Sequence, residues 1–150
     1  MSYAPKAFSA VDEYARLGLR TDIETASPHR LILLLLDGAQ DKLRAARLAM
    51  QRGNVAAKGG NIGWAMSIID GLRASLNLDR GGPLAANLDA LYDYMTRGLA
   101  AANLHNDAAK VAEIEALLAE IRAGWKGIEA QVEPRPHTHN AIGPTALALG

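Results

Sequence analysis

Large apolar residues recur at alternating spacings of three and four in the last third of the chain. They are Val111, Ile114, Leu118, Ile121, Trp125 and Ile128. This alternation is typical of an α-helix that packs one face into a left-handed bundle. Similar spacings occur from Pro28 to Val132, and the period-two alternation that indicates a strand is missing. The sequence therefore predicts an all-α fold.

Helix breakers separate the first two predicted helices. Ser27 is a typical N-cap residue, Pro28 suits a first helical turn, and the first helix is predicted to end where Gly53-Asn54 follows Arg52. The second helix is predicted over residues 55–78. We expect fraying or a late start at its N-terminus, because glycines at positions 59, 60 and 63 weaken its first turns.

The third and fourth predicted helices follow a glycine-containing link over residues 79–82. The third begins at Pro83 and is predicted to end near Asn103, and either Asn106 or Asp107 is expected to cap the fourth. The buried stripe of the third is predicted to be Leu84, Leu88, Leu91 and Met95. Short links place sequential helices side by side, so we expect an antiparallel, up-down-up-down four-helix bundle over residues 25–132.

Two segments lie outside this predicted bundle. Residues 1–24 are expected to form a cap with a short helix, in which Tyr14, Leu17 and Ile23 cover an apolar groove of the free protein. Residues 133–150 contain three prolines and two histidines and are expected to form a disordered tail.

Composition argues against several classes of function. The 16 basic and 16 acidic residues balance, so no net charge favours nucleic acid or an anionic membrane surface. The longest apolar run, Leu31 to Leu36, is much shorter than the roughly 18 residues of a membrane span. Cysteine is absent, which excludes disulfides and thiolate chemistry and is consistent with a reducing cytosol.

Nothing in the sequence indicates a catalytic or metal site. The paired histidines of the tail, His137 and His139, make an incomplete metal site, and no Glu-x-x-His motif of a di-iron bundle occurs. His29 and Arg30, in the first turn of the first helix, are interpreted as a solvated pair. We therefore expect no catalytic residues, no metal and no cofactor, and a binding protein rather than an enzyme.

The most unusual feature is an excess of apolar residues. The run from Leu31 to Leu36 covers every side of the first helix, whereas a bundle helix buries about three of seven positions. The excess could contact the N-terminal flank, a second copy of the chain or an apolar ligand segment, or the helix could be buried on several sides. Because Leu31 and Leu35 continue the core-facing line, Leu33 and Leu36 are predicted to face a partner. A smaller excess in the second helix adds Ile62, Met66 and Ile69.

Two blocks of sequence resemble the flagellin-specific export chaperone family, FliS. The first is Thr25-Ala26-Ser27-Pro28, followed by the leucine-rich turn from Leu31 to Leu36 and by Asp37-Gly38-Ala39. The second runs from Ile68 through Ser75-Leu76-Asn77 to the paired tyrosines Tyr92 and Tyr94. With Trp125 near the end, the similarity extends in the same order over roughly residues 14–130.

The resemblance implies a cytosolic bundle that binds the disordered C-terminal segment of flagellin. It further implies that the bundle prevents premature polymerisation and presents flagellin to an export-gate component of the flagellar type III secretion system. The candidate partner contacts are Leu33, Leu36, Ile62, Met66, Ile69 and Tyr92. The alternative is a self-associating structural bundle without a client, and a homodimer of the free protein stays open.

Overall fold

A computed structural model describes residues 27–127 of the protein. Its helices are α1 (Pro28–Arg52), α2 (Val55–Ala74), α3 (Gly82–His105) and α4 (Ala108–Gly127). Each helix packs against its sequence neighbours, and α4 also packs against α1, so the four helices form a closed ring. The described residues contain no strand, which confirms the all-α prediction and fits the predicted four-helix bundle. The proposed N-terminal cap (Tyr14, Leu17 and Ile23) and the C-terminal tail lie outside the described residues.

Side-chain caps fix the helix ends close to the predicted positions. Ser27 Oγ accepts a hydrogen bond from the Arg30 N–H at 3.1 Å, which starts α1 as predicted. Gly53 ends α1 at a φ of 69°, a conformation that glycine adopts without strain. The turn between α3 and α4 follows the same pattern. Asn106 ends α3 with a φ of 54°, and Asp107 Oδ1 caps α4 by accepting the Lys110 N–H at 3.1 Å.

Helix α2 differs from its prediction at both ends. It begins at Val55 without a late start, because Asn54 Oδ1 caps it by accepting the Ala57 N–H at 3.0 Å. It ends at Ala74 rather than Leu78. The reason is local: Asn77 Oδ1 accepts the backbone N–H groups of Asp79 and Arg80 at 3.1 and 3.0 Å, which forms a turn in place of another helical turn.

The glycines of α2 are not required by packing within the described residues. An added Cβ at Gly60 or Gly63 would meet no atom within 4 Å. We expect Gly60→Ala and Gly63→Ala each to raise the free energy of unfolding by about 0.8 kcal/mol, since alanine loses less backbone entropy in a helix. Urea denaturation followed by circular dichroism measures this change. Gly98→Ala is the matched control and should gain less, because its Cβ would lie 3.1 Å from Ile114 Cδ1; equal gains at all three sites would contradict the packing argument.

The buried face of α3 is rotated from the predicted stripe. Its buried residues are Ala85, Tyr92, Met95, Leu99 and Ala102. Leu84 is 54% exposed, and Leu88 and Leu91 are only partly buried. The spacing of large residues favoured the leucines, whereas the close-packed interior accepts the small Ala85 and Ala102 together with the Tyr92 ring. The predicted stripe was therefore wrong for Leu84, whereas Met95 is buried and Leu88 and Leu91 pack against the edge of the core.

Leu33 and Leu36 do not face outward as predicted. They are 1% and 0% exposed, because α1 packs against both α2 and α4 and its buried arc is correspondingly wide. His29 is also buried rather than solvated. Most of the leucine-rich turn, residues 31–36, is thus buried in the core. Only Leu31 and Leu34 are partly buried, at the edges of the buried face.

Candidate functional site

Helices α1 and α4 are joined by two arginine–carboxylate pairs. The Arg47 guanidinium donates Nη2–H to Glu115 Oε1 at 3.0 Å and also donates Nε–H to Glu115 Oε2. Arg122 contacts the Asp37 carboxylate through Nε and, at 3.4 Å, through Nη2. The hydrogen bonds that Arg47 donates to the Glu115 carboxylate raise the pKa of Arg47, so this arginine stays charged. Two-point contacts of this kind hold the two helices in register.

An aromatic pair joins the same helices at one end of the bundle. The Trp125 indole Nε1–H donates to the carbonyl oxygen of His29 at 2.9 Å. The two rings stack with centroids 4.8 Å apart and planes inclined by 12°. The last turn of α4 is therefore fixed to the first turn of α1. Sequence analysis missed this contact, although the closing tryptophan was part of the family resemblance.

Helices α2 and α3 are joined by one arginine that contacts two aspartates. Arg73 donates Nε–H and Nη2–H to Asp89 at 2.6 and 3.3 Å, and Nη1–H to Asp93 at 3.1 Å. The hydrogen bonds that Arg73 donates to the Asp89 carboxylate raise the pKa of the Arg73 guanidinium. At the opposite end of the bundle, Lys58 Nζ donates to the Asn103 carbonyl oxygen at 3.0 Å. This interface is thus held at both ends.

The interface between α3 and α4 is closed over only half of its length. Lys110 Nζ donates to Tyr94 Oη at 3.0 Å and to Glu113 Oε1 at 2.8 Å, and the Tyr94 O–H donates to Glu113. These bonds lower the pKa of Glu113, with Lys110 the larger cause, so its carboxylate stays ionised. Beside this cluster, the missing side chain of Gly98 lets α3 approach Ile114 closely.

Beyond Tyr94 the facing sides of the two helices are apolar, with Leu84 exposed and the other large residues partly buried against the core. The exposed or partly buried residues are Leu84, Leu88 and Leu91 on α3 and Leu117 and Ile121 on α4. We call this surface the α3–α4 groove. Within the described residues no hydrogen bond or ion pair crosses it, in contrast to the closed half of the same interface.

A small crevice lies at the end of the groove. It is lined by Ile32, Leu72, Ser75, Leu76, Leu88, Tyr92, Ile121 and Trp125. Its volume of about 20 Å³ holds roughly one water molecule. Burial raises the pKa of the Tyr92 hydroxyl to about 12, so this side chain is neutral at physiological pH. The lining is almost entirely apolar and suits hydrophobic contact rather than catalysis.

The sequence-predicted contact residues are only partly brought together here. Tyr92 lines the end crevice, and Met66 is partly buried on α2. The other four lie in the core, namely Leu33, Leu36, Ile62 and Ile69. The groove leucines were missed as a site because they were assigned to the core. The signal available in the sequence is that Leu84 and Leu91 directly precede Ala85 and Tyr92. Either pair could therefore form the buried face of α3.

Two further kinds of site were considered for the described residues, a metal site and a membrane span. Among residues 27–127, no three histidine, aspartate or glutamate side chains are grouped so that they could hold a metal ion. No helix in that range is both long and apolar enough to cross a membrane. The groove is therefore the candidate functional site.

The model of the family described as flagellar protein FliS matches residues 10–132 of the chain. The chain belongs to the FliS family. This confirms the resemblance found in the sequence. FliS is a family of chaperones.

Individual FliS relatives are similar along most of both chains. The flagellar secretion chaperone FliSB of Pseudomonas aeruginosa is 45% identical over 122 residues, which are 81% of this chain and 97% of the relative. The flagellar secretion chaperone FliS of Salmonella typhimurium is 46% identical over 121 residues, or 80% and 90% of the two chains. The Bacillus subtilis FliS is 36% identical over 107 residues, or 71% and 79%.

Proposed function

We propose that the protein is a chaperone of the bacterial cytosol that binds the disordered C-terminal segment of flagellin. In this role it prevents premature polymerisation and delivers flagellin to the flagellar type III export apparatus through an export-gate component. Membership of the FliS family supports the chaperone role, since the relatives are named flagellar secretion chaperones. The observation that carries the client-binding part is the apolar α3–α4 groove, whose five large residues are exposed or only partly buried.

The dimensions of the groove fit a helical segment. Leu84 and Leu91 are seven positions apart on α3, which corresponds to about 10 Å, or two helical turns. An amphipathic client helix would place aliphatic side chains at i, i+3 or i+4, and i+7 against this length. A client that folds on binding must offset its ordering entropy by burying apolar surface, and a long open groove allows this better than a deep pocket.

The predicted contacts fit this proposal in two ways. Met66 is partly exposed and can contact a client directly, whereas Tyr92 is buried and lines the crevice beneath the groove. The other four predicted contacts lie in the core and hold the helices that carry the groove in position. They are Leu33, Leu36, Ile62 and Ile69. The direct contacts on α3 and α4 are then the five groove residues.

Co-expression with flagellin tests the proposal against the self-associating alternative. We expect flagellin to co-purify with the chain and a flagellin lacking its C-terminal segment to be lost. Mass measurement by light scattering separates the two functions, because a client complex requires flagellin and a structural homo-oligomer does not. A stable oligomer of the chain alone that excludes flagellin would favour the structural bundle.

A further inference from the structure

A second pocket lies at the end of the bundle where the α1–α2 turn and the α3–α4 turn come together. Its lining residues are Ala49, Met50, Gly53, Asn54, Val55, Lys58 and Asn106. We call it the turn pocket. Its volume is about 280 Å³, and an apolar cavity of about 150 Å³ already holds a benzene ring. The turn pocket therefore has room for one large apolar side chain.

Large apolar side chains are exposed beside the turn pocket. Val55 forms part of its wall and is 71% exposed. Leu104 is 77% exposed and directly follows Asn103, whose carbonyl oxygen accepts a hydrogen bond from Lys58 Nζ at 3.0 Å. The first turn of α2 and the last turn of α3 are thus in contact here. Exposed apolar residues gathered around a pocket indicate an interaction site, whereas single scattered ones do not.

The chain around the α1–α2 turn carries only positive charge. Residues 42–69 contain no aspartate or glutamate, and their basic residues are Lys42, Arg44, Arg47, Arg52 and Lys58. Arg44 and Arg47 are neutralised by carboxylates of other segments, namely Asp41 and Glu115. The remaining cations determine the charge at the turn pocket.

Two of these cations lie at the turn pocket without a counter-charge. Among residues 27–127, no carboxylate lies within ion-pair distance of Arg52, the last residue of α1, or of Lys58 in the pocket wall. Lys58 Nζ donates only to neutral oxygens, those of Asn103 and, at 3.4 Å, Asn106 Oδ1. In the neighbouring turn, Asp107 uses its carboxylate to cap α4. A ligand with a carboxylate would complement this charge.

We propose that the turn pocket is a docking site for an acidic segment of a second partner protein. The segment places one large apolar side chain against Met50 and Val55 and a carboxylate beside Arg52 and Lys58. An anionic membrane surface fits less well, because each cation contributes only about 1 kcal/mol there and a membrane has no side chain to fill a pocket.

The second partner and the client occupy different parts of the molecule. Leu84 of the α3–α4 groove and Asn106 of the turn pocket lie at the two ends of α3, about 33 Å apart at 1.5 Å per residue. The groove and the turn pocket share no residue. The inference therefore goes beyond the proposed function and does not depend on it.

Nuclear magnetic resonance titration of the isotope-labelled chain with synthetic peptides tests the site. The probe is acetyl-Glu-Glu-Leu-Phe-Glu-Glu-amide. One matched peptide replaces Leu-Phe by Ala-Ala, and the other replaces the four glutamates by lysines. We expect the probe to shift the amide signals of residues 49–58 with a dissociation constant below about 1 mM, and both matched peptides to bind about tenfold more weakly or less. No saturable shift at these residues, or equal binding of the lysine peptide, would overturn the proposal.

Two substitutions change the turn pocket while keeping the fold. Val55→Asp adds a carboxylate to the pocket wall, and an acidic residue in the first turn of α2 is favourable to the helix dipole. Arg52→Gln removes an exposed cation. Each should weaken binding of the probe about fivefold or more. Arg44→Gln is the matched control, because it removes an exposed cation of α1 two turns before Arg52. Equal weakening in this control would mean non-specific attraction and would overturn the site.

Two further measurements distinguish the other occupants. We expect the probe to stay bound when the flagellin C-terminal segment is added, and its displacement would overturn the second partner, since the client would then fill the turn pocket. We also expect no sedimentation of the chain with phosphatidylglycerol vesicles. Vesicle binding that Val55→Asp abolishes would assign this surface to a membrane and overturn the proposal.

Discussion

Leu84→Asp is expected to weaken binding of the flagellin C-terminal segment by about 100-fold without unfolding the bundle. Leu84 is 54% exposed at the open end of the groove, so a carboxylate there stays hydrated in the free protein. A bound client helix would cover the carboxylate without pairing it, and a loss of about 2.7 kcal/mol, the equivalent of 100-fold, is within the cost of burying an unpaired charge. Isothermal titration calorimetry measures the affinity, and circular dichroism checks the fold.

Leu104→Asp is the matched control for this change. It lies on the same helix, is 77% exposed, and lies at the opposite end of the bundle from the groove. The control should bind flagellin as the unmodified chain does. If Leu84→Asp binds normally, or if both variants lose binding to the same extent, the client does not occupy the α3–α4 groove.

Leu36→Asp is expected to abolish folding. The side chain is fully buried within the core cluster, where no cation lies in position to pair with a carboxylate among the core residues described. Burial of an isolated carboxylate costs several kcal/mol, and loss of the leucine contacts adds about 2–5 kcal/mol, which together approach the whole stability of a small domain. Far-ultraviolet circular dichroism should show loss of helix at 25 °C.

Leu34→Asp tests the same helix at a partly exposed position. Its carboxylate can keep contact with water, so this variant should stay helical with a smaller loss of stability. A folded Leu36→Asp variant would mean that α1 has an outward face at this position, as the sequence pattern first indicated.

The architecture could be predicted from the sequence because local signals agree with the packing. Ser27, Gly53 and Asp107 are the residues expected at helix ends, and each makes the contact or takes the backbone conformation that its type predicts. The apolar stripe predicted for α4 also agrees with the structure, since Val111, Ile114, Leu118 and Trp125 are all buried. Agreement between capping and periodicity fixed four helices and their order.

The site could not be predicted to the same degree because it depends on how far each helix rotates about its own axis. On α3 two overlapping sets of residues fit helical spacing, and only contact with Arg73 and the packing of Tyr92 select between them. On α1 a fully apolar turn gives little rotational preference, which is why spacing wrongly placed the buried Leu33 and Leu36 on the outward side. The apolar half of the α3–α4 interface became visible only when all four helices were placed.

The contacts between α1 and α4 have a consequence for how the chain folds. Every other helix interface joins segments that are consecutive in the chain, whereas the Arg47–Glu115, Arg122–Asp37 and Trp125–His29 contacts span 68, 85 and 96 residues. Closing so long a loop is entropically expensive, and such contacts form late relative to hairpins of adjacent helices. We therefore expect α4 to dock onto the α1–α2–α3 unit as a late step of folding. Because α4 is the last of the four helices to leave the ribosome, the α3 face of the groove is assembled before its α4 face exists.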